Sequence, residues 1–310
     1  MKKYNFVIYI LLLFVCLFAF SAKAQQASKT MQEGQNYFAN KEYDKALKKF
    51  QKEYKKNPSI QVKFWMAHAY AEMKEVLEAK PLFLEIVKTD APELGMALVN
   101  LANCYASLRQ ADSAHFYYDR VIKEFPKMAS GYFNKGQLLY SQSKFEEAKN
   151  NFDKAIENET NNWWYYQKRL EVCFASQNFE CALQDLIKVK ELNPKAPNEM
   201  NLAYCYSMLK RYEEADSVFQ SIYDDKDALF LNNYGLNKHN MGKSEEAKKI
   251  INKSLAIKPT NSYAYRNLAI IAIDEKNMEK VCEYLNKAKS LNFEKNYGKE
   301  VNQLLIKYCN

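Results

Sequence analysis

Residues 132–160, YFNKGQLLYSQSKFEEAKNNFDKAIENET, hold the pattern that decides the fold. The stretch predicts two amphipathic helices joined by a polar Ser-Gln-Ser turn. Gly136 on the first helix and Ala148 on the second are small, so the two helices can approach closely. Phe152 and Ala155 follow at helical spacing and continue the apolar face of the second helix. A hairpin of this size buries little apolar surface alone and needs a neighbour on its outer face.

The same register returns about every 34 residues along nearly the whole chain. Seven further segments place small or apolar residues at the positions that correspond to Gly136, Ala148 and Phe152. In chain order they are Gly34, Ala46 and Phe50; Ala67, Ala79 and Phe83; Ala102, Ala114 and Tyr118; Leu170, Ala182 and Leu186; Ala203, Ala215 and Phe219; Gly235, Ala247 and Ile251; Ala269, Val281 and Leu285. Eight segments in one register predict a stack of helical hairpins.

This register resembles that of the tetratricopeptide repeat family over roughly residues 27–295. The resemblance implies an all-α fold, a right-handed superhelical solenoid of about eight helical hairpins with a C-terminal capping helix. It also implies that the first helix of each hairpin lines a concave wall and that the second faces outward. The repeats are expected near 27–60, 61–94, 95–128, 129–162, 163–195, 196–227, 228–261 and 262–295, with the cap over 296–310.

The cap is predicted from a single amphipathic segment after the last repeat. Val301, Leu304, Leu305 and Tyr308 fall on one face of a helix that would run over residues 297–308. No second helix follows it in the sequence. We therefore expect this helix to cover the open apolar side of the last hairpin.

Composition excludes several classes of protein. Seven glycines and seven prolines in 310 residues argue against a sheet-rich domain or a disordered tail, and four of the prolines stand at repeat ends. No Gly/Ser-rich linker divides the chain, so we expect one continuous domain over residues 25–310. Without Lys2, Lys3 and Lys23 the chain has 42 basic and 37 acidic residues, a net charge of +5, which does not indicate a nucleic-acid partner.

The first 24 residues have the layout of a signal peptide. Lys2 and Lys3 precede an unbroken apolar run at 6–20, and Ala22 and Ala24 stand at A-x-A spacing before the expected cleavage site. A helix of that length falls short of a hydrocarbon core about 30 Å thick, which favours cleavage over a retained membrane anchor. The style of this signal and the Lys/Asn/Tyr-rich composition lead us to expect an exported bacterial protein. It would be periplasmic or associated with the cell envelope, with no transmembrane segment after cleavage.

The sequence shows no signature of catalysis or of metal or cofactor binding. His68, His115 and His239 fall in three different repeats, far apart in a linear stack. The motifs H-E-x-x-H, G-x-S-x-G, paired C-x-x-C and the glycine-rich phosphate loop are missing from the chain. Glu-Glu pairs stand where second helices begin, which suits the positive end of a helix dipole. We therefore expect a protein that is not an enzyme and that has no cofactor.

Asparagine occupies the sixth position of five repeats, which is two residues before the position that corresponds to Gly136 and lies on the expected concave wall. The five are Asn100, Asn134, Asn201, Asn233 and Asn267. A column of side-chain amides can donate and accept hydrogen bonds at once, which suits an extended peptide backbone, and several tetratricopeptide superhelices use such a ladder. The alternative is that these amides bond between neighbouring hairpins.

Aromatic side chains beside this column extend the expected groove. They are Phe133, Tyr140, Trp164, Phe174 and Tyr204. Aromatic surfaces suit peptide partners, and the alternative for each ring is burial between hairpins. The four consecutive aromatics at residues 163–166 cannot all point inward, because neighbouring residues of a helix turn by about 100°. At least one of the four should be exposed or held by a partner.

These features predict a non-enzymatic scaffold that binds a peptide or protein in its groove, with a role in assembling a cell-envelope or secretion complex. The complete set of Lys and Asn with which well-known members of the family grip a carboxylate tail is missing here, since Val99 with Asn103 and Phe133 with Gln137 stand at those positions. The alternative function is a periplasmic carbohydrate-binding or cell-wall-binding solenoid, with aromatics such as Trp164 stacked on the glycan.

Two pairs of cysteines are related by symmetry about a predicted bend. Cys173 and Cys181 flank the bend of repeat five, and Cys282 and Cys309 flank the bend after repeat eight. An oxidising compartment would permit disulfides within both pairs. The alternative is that all the cysteines of the exported chain are small residues buried in hairpin seams.

Overall fold

A computed structural model describes residues 28–196 and 198–309. Within these ranges the chain forms eighteen α-helices and no β-strand. They are α1 Lys29–Ala39, α2 Tyr43–Lys56, α3 Ile60–Glu72, α4 Val76–Ile86, α5 Leu94–Ser107, α6 Ala111–Glu124, α7 Ala129–Ser141, α8 Phe145–Asn158, α9 Trp163–Ala175, α10 Phe179–Leu192, α11 Glu199–Met208, α12 Tyr212–Ser221, α13 Ala228–Asn240, α14 Ser244–Ile257, α15 Ser262–Asp274, α16 Met278–Ser290, α17 Phe293–Tyr297 and α18 Glu300–Tyr308. The predicted signal peptide lies outside the described residues.

Successive helices pair into eight hairpins, from α1/α2 to α15/α16. The predicted all-α repeat fold is thereby confirmed. The chain divides into two compact units, of which the first ends at Glu159 and the second begins at Thr160. Unit one holds the hairpins of α1–α8. Unit two holds those of α9–α16 together with α17 and α18. Among the described residues, no helix is both long and apolar enough to cross a bilayer.

Every hairpin turns at one residue with a left-handed backbone. The residues are Lys41, Lys74, Arg109, Ser143, Gln177, Lys210, Gly242 and Lys276, with φ between 57° and 79°. In the fourth hairpin the Ser143 N–H donates to Tyr140 O at 2.9 Å and the Lys144 N–H donates to Leu139 O at 3.0 Å. These two bonds satisfy carbonyls at the end of α7 and reverse the chain within three residues.

Small residues set the closeness of the paired helices. A Cβ built on Gly136 would lie 2.9 Å from the Phe152 ring, and one on Gly34 would lie 2.5 Å from the Phe50 ring. Both phenylalanines are fully buried. These two glycines of first helices therefore make room for a buried phenylalanine of the second helix, as the register predicts.

Within each unit, the second helix of one hairpin packs on the first helix of the next, and the first helices of neighbouring hairpins also touch. These first-helix contacts join α3 to α5 and α5 to α7 in unit one, and α11 to α13 and α13 to α15 in unit two. Each unit therefore presents a face made of successive first helices, here called its first-helix face.

The C-terminal cap packs on α16 as predicted, with Val301 and Leu305 buried. The prediction of one helix over residues 297–308 is wrong in its boundaries, because Gly298 has a φ of 89° and divides the segment into α17 and α18. A backbone in this region suits glycine, which has no Cβ to clash with the carbonyl oxygens. The break directs the first turn of α18 toward α15, where Glu300 contacts Arg266.

Candidate functional site

In unit two the first-helix face contains a cavity of about 280 Å³. We call it the α11–α15 cavity. Tyr204 and Met208 reach it from α11, Asn233 from α13, Arg266 from α15 and Glu300 from the cap helix α18. Tyr204 and Met208 are exposed, so the mouth of the cavity is apolar while its wall holds amides and a charged pair.

The amides of this cavity fall into two kinds. Asn237 is fully engaged, because Ser207 Oγ donates to its Oδ1 at 2.9 Å and its Nδ2 donates to Tyr212 O at 3.0 Å. Asn233 and Asn240 line the same cavity, and their side chains make no hydrogen bond to any described residue. They remain able to donate to and accept from a ligand.

Arg266 supplies the positive charge of the cavity. Its Nε donates to Glu300 Oε2 at 3.0 Å, its Nη2 donates to Glu300 Oε1, and its Nη1 donates to Asn267 Oδ1 at 2.9 Å. Its guanidinium also lies 5.5 Å from the centre of the Tyr263 ring. Burial raises the pKa of Tyr263 and of Tyr204 above the ordinary value, so both phenols stay protonated as hydrogen-bond donors.

Unit one has a cleft of about 360 Å³ on its own first-helix face, here called the α5–α7 cleft. Asn103, Asn134 and Gln137 line it together with two serines, and no charged side chain takes part in its described lining. Buried Tyr118 donates its hydroxyl to Asn103 Oδ1, and burial raises the pKa of that phenol. Asn134 Nδ2 donates to Ser130 O at 2.9 Å. These two bonds leave the Asn103 N–H groups and the Asn134 Oδ1 for a ligand.

The five asparagines predicted as a column have different environments. Asn134 lies in the α5–α7 cleft and Asn233 in the α11–α15 cavity. Asn201 is exposed, and Asn100 is half-buried with an unpaired Nδ2. Asn267 is fully buried, and its Nδ2 donates to Asn232 Oδ1 of α13 at 3.0 Å, so this amide joins two hairpins.

The predicted groove aromatics also separate by environment. Phe133 is buried against Phe152, with ring centres 5.6 Å apart, and half-buried Tyr140 lies 5.8 Å from Phe145. These are contacts within one hairpin, α7/α8.

In unit two, Phe174 and Tyr204 lie 6.4 Å apart and both contact Phe179, so they form one aromatic group beside the cavity. Trp164 is 41% exposed, with Lys168 Nζ at 4.8 Å from its ring. An exposed Trp164 beside buried Tyr165 and Tyr166 confirms the prediction for the four consecutive aromatics.

Both predicted cysteine pairs are joined as disulfides in the structure. Cys173 and Cys181 bridge α9 to α10 with Cα atoms 5.8 Å apart, and Cys282 and Cys309 bridge α16 to the end of α18 with Cα atoms 5.6 Å apart. Cys104 and Cys205 are free and buried. Asp185 lies within 4.8 Å of Cys173 and Cys181 Sγ atoms, but both of its oxygens accept from Arg169, so this group is an ion pair beside a disulfide.

One arrangement resembles a hydrolase triad in its residue types. His239 Nδ1 lies 2.9 Å from Ser244 Oγ, and its Nε2 lies 2.9 Å from Asp274 Oδ2. Two glutamates follow Ser244 in the first turn of α14, and their negative charge opposes the oxyanion that acyl transfer would build there. The histidine instead ties the α13/α14 turn to the next hairpin.

Sequence reasoning missed the contact between Arg266 and Glu300, and also the bond between Tyr118 and Asn103. Arg266 is the one arginine of α15, and it directly precedes Asn267 on the expected concave wall. That position could have indicated a positive charge at the site. The 34-residue separation from Glu300 crosses the break at Gly298, which the register does not encode.

Three family models match parts of the chain. Two describe tetratricopeptide repeats, at residues 96–127 and 129–162, and the third describes YpiA-like C-terminal tetratricopeptide repeats, at residues 198–261. The matched segments lie in both units and coincide with described hairpins. The chain is a tetratricopeptide repeat protein.

Known proteins resemble this tetratricopeptide repeat protein at low identity. Human tetratricopeptide repeat protein 6 is 28% identical over 143 residues, 44% of this chain; the match spans about a quarter of that protein, 26% of its length. The solved structure of YrrB, described as a TPR protein with an unusual peptide-binding site, matches with a TM-score of 0.53 and 22% identity over 59% of this chain and 96% of YrrB. A structure of Naa15/Naa10 bound to HypK-THB matches with a TM-score of 0.55 and 13% identity over 81% of this chain and 39% of the matched chain. Both structural likenesses show the fold.

Proposed function

We propose that this protein is a non-enzymatic scaffold that binds a polypeptide partner on its first-helix faces. The tetratricopeptide repeat fold supports a role in protein–protein interaction. The observation that carries the site is the α11–α15 cavity, where exposed Tyr204 and Met208 stand beside the unbonded amides of Asn233 and Asn240. A rigid aromatic ring and an adaptable thioether give apolar contact area, and amides fix the register of a peptide backbone.

We also propose that the chain is exported and works in assembly of a cell-envelope or secretion complex. Two observations support export. The apolar run at residues 6–20 follows two lysines and precedes an A-x-A site, as in a signal peptide. The Cys173–Cys181 and Cys282–Cys309 disulfides suit an oxidising compartment, because reducing compartments keep cysteines in the thiol form.

Affinity capture from envelope extract tests the site. The bait is the exported chain, compared with a variant carrying Tyr204→Ala and Met208→Ala. We expect the wild-type bait to capture a specific polypeptide and the double variant to lose at least roughly ten-fold of it, as expected when two central contacts are removed from an interface.

The matched control is a double variant on exposed isoleucines of second helices, Ile187→Ala with Ile257→Ala. It should capture as much partner as the wild type. Equal loss in both variants would contradict a site on the first-helix face. Retention of the chain on purified cell-wall polymer, with no polypeptide captured, would favour the carbohydrate-binding alternative.

A further inference from the structure

The guanidinium of Arg266 is held by a carboxylate that comes from outside the hairpins. Glu300 is the first residue of cap helix α18, and it receives two hydrogen bonds from Arg266 in a bidentate pair. Arg266 Nη1 also donates to Asn267 Oδ1. The Asn267 side chain is in turn held by its hydrogen bond to Asn232 of α13. Arg266 is thus a preorganised carboxylate receptor, and Glu300 is its present occupant.

The two partners of this ion pair differ in exposure. The Arg266 side chain is 16% exposed, whereas that of Glu300 is 39% exposed. Both residues line the cavity, and Glu300 is the more accessible of the two to solvent. A competing carboxylate can therefore replace Glu300 without any movement of Arg266.

The charge of the cavity depends on this one contact. Arg266 and Glu300 are the sole charged residues in its described lining. With Glu300 in place the cavity is neutral, and with Glu300 displaced it carries one buried positive charge beside the free amide of Asn233. A buried unpaired guanidinium is costly, so an open cavity demands an anion.

A disulfide holds the C-terminal end of cap helix α18, and Glu300 lies at its N-terminal end. The Cys282–Cys309 disulfide bridges α16 to the residue that follows α18, while Gly298 gives the other end of α18 a break in the backbone. The disulfide limits how far α18 can leave α16, and Glu300 moves with that helix.

We propose that the α11–α15 cavity receives an acidic side chain of the partner polypeptide, that Glu300 is its built-in competitor, and that the Cys282–Cys309 disulfide holds this competitor in place. This inference rests on the proposed function and names the chemistry of the partner. In the closed state Glu300 neutralises Arg266. In the bound state a glutamate or aspartate of the partner takes its position while Tyr204 and Asn233 contact the flanking residues.

Thiol–disulfide exchange with an external dithiol breaks the Cys282–Cys309 link and releases the cap. One thiolate of the dithiol attacks a cysteine sulfur and forms a mixed disulfide as the Cys282–Cys309 bond breaks. The second thiolate of the dithiol then attacks its bridged sulfur, which releases the second cysteine and the dithiol as its own disulfide. The two cysteines gain two electrons and two protons and become thiols. Both are half-buried, so a small dithiol can reach them.

Arginine modification by phenylglyoxal tests the closed state without any partner. The extent of reaction at Arg266 is read by peptide mass spectrometry on the full exported chain. We expect several-fold faster modification in Glu300→Gln and in Cys309→Ser than in wild type. Cys181→Ser, which removes the other disulfide, should react like the wild type. An unchanged rate in both Glu300→Gln and Cys309→Ser would overturn the proposal.

Binding of a labelled hexaglutamate peptide, with hexaglutamine as the neutral control, tests the receptor. Glu300→Gln should bind hexaglutamate at least roughly ten-fold more tightly than wild type, and adding Arg266→Gln should abolish the gain. Thermal unfolding confirms that each variant is folded. Equal affinity of wild type and Glu300→Gln, or tight binding that survives Arg266→Gln, would refute the acidic receptor. The polypeptide capture described above can succeed in that case, so the two proposals fail separately.

Discussion

The two units place different chemistry on the same kind of surface. The α5–α7 cleft of unit one is lined by neutral amides and serines, and buried Tyr118 fixes the orientation of Asn103. The α11–α15 cavity of unit two combines exposed aromatic and thioether groups with an ion pair that reaches it from the cap. One repeat register thus builds two sites, because the register determines which residues are buried and leaves the inner positions free to vary.

The largest expected difference between the units lies in the reactivity of their free thiols. Burial raises the pKa of Cys104 in unit one to about 11 and that of Cys205 in unit two to about 12. At pH 8 the thiolate fraction should therefore fall by roughly a hundred-fold for Cys104 and a thousand-fold for Cys205 relative to an ordinary thiol. Alkylation with iodoacetamide, followed by mass spectrometry before and after denaturation, measures both. Cys205 reacting faster than Cys104 in the native chain would contradict this order.

The second prediction concerns the buried amides of unit two. Asn267→Ala should lower the free energy of unfolding by about 1–3 kcal/mol, because it leaves Asn232 Oδ1 and one Arg266 nitrogen without their partner. Exposed Asn201→Ala is the matched control and should change it by less than about 0.5 kcal/mol. Urea titration of both variants decides the point. Equal stability would show that Asn267 is not a structural link between hairpins.

The third prediction sharpens the account of unit one. Tyr118→Phe removes the hydroxyl that donates to Asn103 Oδ1 and should cost about 0.5–1.5 kcal/mol of unfolding free energy. It should also free the Asn103 amide to rotate, so the chemical shifts of its side-chain N–H groups should lose their dispersion. Asn103→Ala provides the comparison, since it removes the same bond from the other side. A stability loss in Tyr118→Phe with an unchanged Asn103 signal would contradict the positioning role.

The hairpin fold was predictable from the sequence because its determinants face each other in pairs. Gly136 and Phe152, or Gly34 and Phe50, stand at a fixed spacing, and each pair is a direct contact between two helices. The capping face at Val301 and Leu305 was predictable for the same reason. The break at Gly298 was not, since glycine permits a positive φ without requiring one.

The candidate sites were only partly predictable. Helical spacing placed Asn134, Asn233 and Asn267 on first helices, yet it could not show that Asn267 would meet Asn232 while Asn233 would face a cavity. Those outcomes depend on the distance between neighbouring hairpins, which side-chain packing determines. The Arg266–Glu300 pair joins two elements across an irregular segment, where no periodicity applies.

The smallest expected effect tests what the two units share. Lys74→Gly in unit one and Lys210→Gly in unit two each place glycine at a left-handed turn residue, with φ of 66° and 59°. Removing the Cβ relieves strain, while glycine raises the entropy of the unfolded chain, so each variant should gain no more than about 1 kcal/mol. Thermal unfolding should show the same sign in both units. Opposite signs would indicate that the turns are not equivalent.

The Cys282–Cys309 disulfide also determines how mechanical tension would travel through the C-terminal end of the structure. A force applied at Cys309 passes through the sulfur bridge directly into α16, and α17 and α18 lie in a covalent loop that carries none of it. Pulling on this end would therefore strain the last hairpin, which holds Arg266, while the backbone of Glu300 inside the loop stays unloaded. If the scaffold joins parts of an assembly that move apart, this crosslink would keep the cap helices folded while the last hairpin bears the load.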